Sequence, residues 1–109
     1  MMGRSIGSVL ALLLVIALGA WMVAVAQEAP RERGKQLFTE QGCYGCHMID
    51  KYGTPIAPDL SHIGSKYSVG GLVRWLTDPT SQKPNAHMPK IAMSESEAQA
   101  LAAYLGSLH

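Results

Sequence analysis

Cys43-Tyr44-Gly45-Cys46-His47, CYGCH, holds both cysteines of the 109-residue chain, with a histidine directly after the second. Three chemistries share parts of this pattern: a redox dithiol, half of a zinc site, and the C-x-x-C-H at which a c-type haem is attached. Each belongs to a different surrounding sequence, so the choice decides the fold. A thioredoxin-like dithiol sits at a strand-to-helix junction within a βαβ pattern. Here a helical pattern precedes the motif and a stretch rich in Gly and Pro follows it. A structural zinc wants four N or S ligands, usually as two spaced pairs. Outside the motif only His62, His87 and His109 remain, none of them paired, and adjacent Cys46 and His47 are awkward joint ligands. A covalent haem needs two thiols at a short fixed separation, to add across two vinyl groups of one porphyrin. It also needs a histidine held under the iron, and CYGCH supplies all three residues.

Upstream of the motif, the run from Ile6 to Ala26 carries no charge, follows Arg4, and ends in Ala24-Val25-Ala26 before Gln27 and Glu28. A basic start, an apolar run and an A-x-A site describe a secretory signal. The run of 21 residues is also long enough to cross a bilayer as a helix. Residues 1–26 therefore read as a signal peptide cleaved after Ala26, or as an uncleaved signal anchor, and Arg4 agrees with the positive-inside rule. Both readings export residues 27–109, either as a soluble periplasmic domain or anchored through residues 6–26 to the cytoplasmic membrane, facing the periplasm. That exported part balances eight Lys and Arg against eight acids, and without a basic block it offers nothing to nucleic acid. A domain of about 80 residues buries a modest share of its surface and often needs a staple or a cofactor. A disulfide between Cys43 and Cys46 closes too small a loop to serve as one.

Three helical segments and no convincing strand are legible in the exported part. The first spans about Arg31 to Gln41, with Pro30 in its first turn. Gly34, Leu37 and Phe38 share one face, and Gly42 is a natural stop. Met48 to Lys66 reads as an ordered loop. A second helix runs from about Val69 to Asp78 and ends at Pro79. Thr80 to Met93 is another loop. The last helix opens on a capping box, Ser94 with Glu97, and repeats Ala98, Leu101, Ala102, Leu105 and Leu108 along one face, with Tyr104 beside them. Loops this long in so small a domain need something to wrap around.

With a haem in place, the sixth iron ligand decides function. A methionine thioether opposite the histidine raises the potential and makes an electron carrier. Met48 follows His47 directly and cannot readily reach the opposite face. Met93 precedes the Ser94 cap, where an apolar residue packs on the helix as a hydrophobic staple, here on Ala98. Met88, mid-loop and outside any helical stripe, is the candidate ligand, with His87 as runner-up. The bland reading of His62, His87 and His109 is exposed surface.

These residues resemble the class I, monohaem c-type cytochromes over nearly all of the exported part. The resemblance lies in a first helix with Gly34 and Phe38 running into CYGCH, in PDL (Pro58 to Leu60), in LVRWLTDPTSQKPNAHMP (Leu72 to Pro89), and in the run from the methionine into the last helix. It implies an all-α fold of three main helices around one covalent haem c. Cys43 and Cys46 would hold the thioethers, and His47 and Met88 the iron. The Pro58 carbonyl would accept the other imidazole N–H of His47, and Leu60, Trp75 and Leu76 would line the crevice with it. Gly34 and Phe38 would pack against Leu101 and Tyr104 where the terminal helices cross. Two positions depart from the family pattern: Ala57 and Asn85 stand where glycine is common, and Asn tolerates a left-handed backbone. The implied function is one-electron transfer without an enzymatic substrate pocket, or the electron-entry role of a subunit in a larger respiratory oxidoreductase. Redox proteins would dock at the haem edge near Cys43, Cys46 and the Met88 loop, where Lys51, Lys83 and Lys90 are either a docking rim or ordinary solvated lysines.

Overall fold

The computed structural model describes the backbone of residues 3–109 and the side chains of residues 6–22 and 29–109. The described chain runs α1 (Gly3–Glu40), a 3₁₀ turn (Cys43–Gly45), β1 (Met48–Ile49), β2 (Tyr52–Gly53), a second 3₁₀ turn (Ile63–Ser65), α2 (Val69–Thr77), α3 (Pro79–Gln82) and α4 (Glu95–Gly106). The fold is helical, as the sequence implies.

The first helix is longer than expected. It does not begin near Arg31 but passes through Pro30 as one element. A proline inside a helix removes one bond of the ladder and crowds the preceding turn. Here the run before it is rich in Leu and Ala, strong helix formers, and Pro30 is exposed, so water reaches the interrupted turn. From Ile6 to Met22 the large apolar side chains are exposed. Among the described residues no helix is long and apolar enough to cross a membrane. The Ala24-Val25-Ala26 site, its polar boundary at Gln27 and Glu28, and Arg4 fall outside the described side chains.

The helix ends where Gly42 turns left-handed at φ 75°, a conformation glycine adopts without a Cβ penalty. Its inward stripe of Gly34, Leu37 and Phe38 is buried against α4. The crossing is close: a Cβ at position 34 would overlap the Ala100 carbonyl oxygen and come within 2.7 Å of Tyr104 Cβ. Phe38 meets Tyr104 edge-on at 6.0 Å between ring centres, and Leu101 is fully buried in the same core.

Both halves of the expected capping box are formed at the start of α4. That helix buries Ala98, Ala100, Leu101, Ala102, Tyr104 and Leu105, while Leu108 lies beyond its end, half-buried. α2 is capped by Ser68, whose hydroxyl accepts the Gly71 N–H at 3.1 Å, and it packs Leu72 and Leu76 into the core.

Two small elements were not expected. Pro79, whose fixed φ suits the first helical position, opens the single turn of α3 instead of a loop. Asp78 braces it, accepting the Ser81 hydroxyl on its carbonyl at 2.7 Å and the Thr80 hydroxyl on its carboxylate at 3.1 Å. The Met48–Lys66 stretch holds a hairpin that pairs Met48 with Gly53 and Ile49 with Tyr52. Its turn places Asp50 at φ 53°. Strands of two residues are too short to show a period of two in sequence.

Candidate haem site

The left-handed turn at Gly42 sends the chain out of α1 into a tight 3₁₀ turn. There the Cys43 carbonyl accepts the N–H groups of Cys46 at 3.2 Å and His47 at 3.0 Å. Both thiols and the imidazole thus hang from one rigid loop. The thiols are unbridged, with Cys43 half-buried and Cys46 exposed. Burial pushes the Cys43 thiol up, and repulsion from Cys46 adds to this, against a smaller opposing effect of a backbone hydrogen bond. Tyr44 fixes the turn to the core through an edge-on contact with Phe38 at 4.6 Å.

The following segment folds back on the motif. The Cys46 carbonyl accepts the N–H groups of Ala57 at 2.8 Å and Ile56 at 3.2 Å, and the Met48 carbonyl accepts that of Leu60 at 2.9 Å. The Ser61 hydroxyl accepts the Asp50 N–H at 2.7 Å. Laid down this way, the Pro58 carbonyl oxygen stands 2.7 Å from His47 Nδ1, the contact that the resemblance implies. A carbonyl only accepts, so Nδ1 carries the hydrogen and Nε2 keeps the free lone pair. Ala57 and Asn85 need no glycine, because Asp50 is the one non-glycine residue at positive φ among the described residues. In particular, Asn85 does not use the left-handed conformation that it tolerates.

Met88 is half-buried and packs on the same apolar cluster as Leu60, Ile63, Val73 and Met93, whereas its neighbour His87 is exposed. Leu76 and Met93 border an open cleft of about 340 Å³ that Thr77, Lys90, Ile91 and Ala92 complete. Trp75 is half-buried on α2. His62 and His109 are exposed, as are Lys51, Lys83 and Lys90, which lie on three separate segments: the hairpin turn, the end of α3 and the cleft wall. Sequence reasoning gave no role to Tyr44 or to Ile49, which is buried. Their signal, an isolated aromatic and an isolated aliphatic in an irregular stretch, gains meaning only from the helices they meet.

The donor set suits a covalent haem. It offers two adjacent unpaired thiols, an imidazole whose orienting bond leaves Nε2 for iron, and a soft thioether. Among the described residues no polar or charged residue is buried, so the core beside these groups is apolar.

The family model described as cytochrome c matches residues 31–109. The chain belongs to the cytochrome c family, whose members carry covalently bound haem c for electron transfer, and the CxxCH spacing of Cys43, Cys46 and His47 fits that attachment. Among characterised proteins it is similar to "Cytochrome c oxidase subunit 2" of Alkalihalophilus pseudofirmus (strain ATCC BAA-2126 / JCM 17055 / OF4). The two are 35% identical over 104 residues, which cover 82% of this chain and 30% of that protein.

Proposed function

We propose that the chain is a one-electron carrier on the outer side of the cytoplasmic membrane, with Cys43 and Cys46 as the thioether positions and His47 and Met88 as the axial ligands. Bound haem c supplies the one-electron couple. The observation that carries the ligand assignment is the 2.7 Å contact of His47 Nδ1 with the Pro58 oxygen. It orients the ring and leaves Nε2 free to hold iron. Met88 is preferred over His87 because it is half-buried on the core while His87 faces water. Leu60 and Leu76 keep the surroundings apolar, which disfavours the more highly charged oxidised state. Trp75 is assigned to the same crevice. With His47 and Met88 both holding the iron of a bound haem, no position would be left for a substrate to bind it.

Optical spectra of the loaded protein test this. The ferric form should show the weak far-red band of methionine ligation, and Met88→Ala should abolish it and open the reduced form to carbon monoxide. A wild-type ferric protein without that band, binding carbon monoxide readily when reduced, would refute the electron-carrier reading.

A second reading has its own support: the similarity to a protein named as an oxidase subunit, of which the chain spans about a third. In that reading the domain is the electron-entry module of a larger respiratory complex, held near the bilayer through residues 6–26. Intact mass from soluble and membrane fractions separates the two. A free carrier gives a soluble species with one haem added and residues 1–26 missing. A module retains Met1 and stays in the membrane fraction.

A further inference from the structure

The segment that carries Met88 is poorly held by its own backbone. Among the described residues, no backbone–backbone hydrogen bond involves any residue from His87 to Met93. Apart from the packing of Met88 and Met93 on the core, its position is set at its ends. Upstream, the turn of α3 holds Lys83 to Pro79 at 3.0 Å and Ala86 to Lys83 at 2.9 Å. Downstream, the first fixed point is the α4 capping box. The Glu97 carboxylate accepts the Ser94 N–H at 3.1 Å, and the Ser94 hydroxyl accepts the Glu97 N–H at 3.2 Å.

That box is tied across the molecule. The second oxygen of Glu97 lies 3.6 Å from Arg33 Nη2, and Arg33 Nη1 donates to both oxygens of Glu40 at 3.2 Å. Glu40 is the last residue of α1, just ahead of Cys43. One guanidinium thus spans from the entry of the thiol motif to the exit of the methionine segment.

We propose that Glu97 is a positioning residue for Met88. Its carboxylate, shared between the Ser94 N–H and Arg33, pins the downstream end of the methionine segment to α1 and so keeps the thioether at the iron. The proposal rests on the reading of Met88 as axial ligand. Removing the pin should make local opening of the segment easier without a matching loss of global stability.

The experiment titrates the loaded ferric protein with imidazole, a small ligand that captures iron when the thioether leaves. Loss of the far-red band reports capture, and far-UV dichroism in urea reports global unfolding. Glu97→Ala should raise the apparent imidazole affinity about fivefold, the size of a lost N-terminal cap. Glu97→Gln, which keeps the acceptor for Ser94 but loses the attraction to Arg33, should fall between Glu97→Ala and the wild type. Ser68→Ala removes the cap of α2, costs similar global stability, and should leave imidazole affinity unchanged. The proposal is overturned if Glu97→Ala does not move the titration, or if Ser68→Ala moves it equally. A wild type that lacks the far-red band removes the ligand assignment itself, a failure read before any variant is made.

Discussion

At the scale of single residues, the crossing of α1 and α4 sets a tight steric limit. Gly34 has no room for a methyl group, because a Cβ would meet the Ala100 carbonyl and Tyr104 Cβ, and a backbone carbonyl in a helix cannot swing aside. Overpacking of this kind costs roughly 1–3 kcal/mol or more. Gly34→Ala should therefore lower the urea midpoint while leaving the slope of the transition unchanged. A wild-type midpoint in that variant would mean that α1 and α4 cross less closely. The chemistry of CYGCH was legible in the sequence because its constraint is local: thiol, thiol and imidazole must share one turn. The His47–Pro58 contact became expected only through resemblance, since it joins residues across an irregular stretch. Tyr44 and Ile49 were not legible, because their burial depends on Phe38 and the other core residues they pack with.

At the scale of elements, legibility followed length and caps. α2 and α4 each have an N-cap side chain and enough turns to show a stripe; α2 falls within a residue of its expected bounds, and α4 starts where its capping box places it but ends short of Leu108. α3 and the hairpin are too short to carry a period, and α1 ran past a proline taken as its start. The capping box also has a pH signature. Hydrogen bonds from the Ser94 N–H and hydroxyl, and then the Arg33 charge, hold the Glu97 carboxyl below its usual range. A lowered folded-state value means that the contribution is fully present above the ordinary glutamate pKa and is lost as pH falls through the depressed one. Thermal midpoints measured from pH 6 downward should thus fall in the wild type by more than in Glu97→Gln, which has no carboxylate to protonate. Equal slopes would show that Glu97 titrates as it does in the unfolded chain.

For the molecule as a whole, every buried apolar residue among those described lies between Leu37 and Leu105, within the 31–109 stretch that matches the family. A chain of residues 31–109 loaded with haem should melt at the temperature of the full chain, as followed by the haem absorbance. A drop of many degrees would mean that the apolar start of α1 stabilises the domain. The division expected at residue 26 rests on charge and the A-x-A pattern. The backbone shows no break there, because a helix continues wherever its residues favour it.

The contact of Gly34 with Ala100 also has a kinetic side. These residues are roughly 65 positions apart in the chain, so docking α1 on α4 closes a loop containing both cysteines, His47 and Met88, and the entropic toll of closure grows with loop length. Contacts of such long range form slowly compared with helices. A porphyrin fixed at Cys43 and Cys46 and reaching Met88 would divide that loop into shorter ones before the ends meet. The covalent cofactor would thus shorten the conformational search of the chain as well as carry its electron.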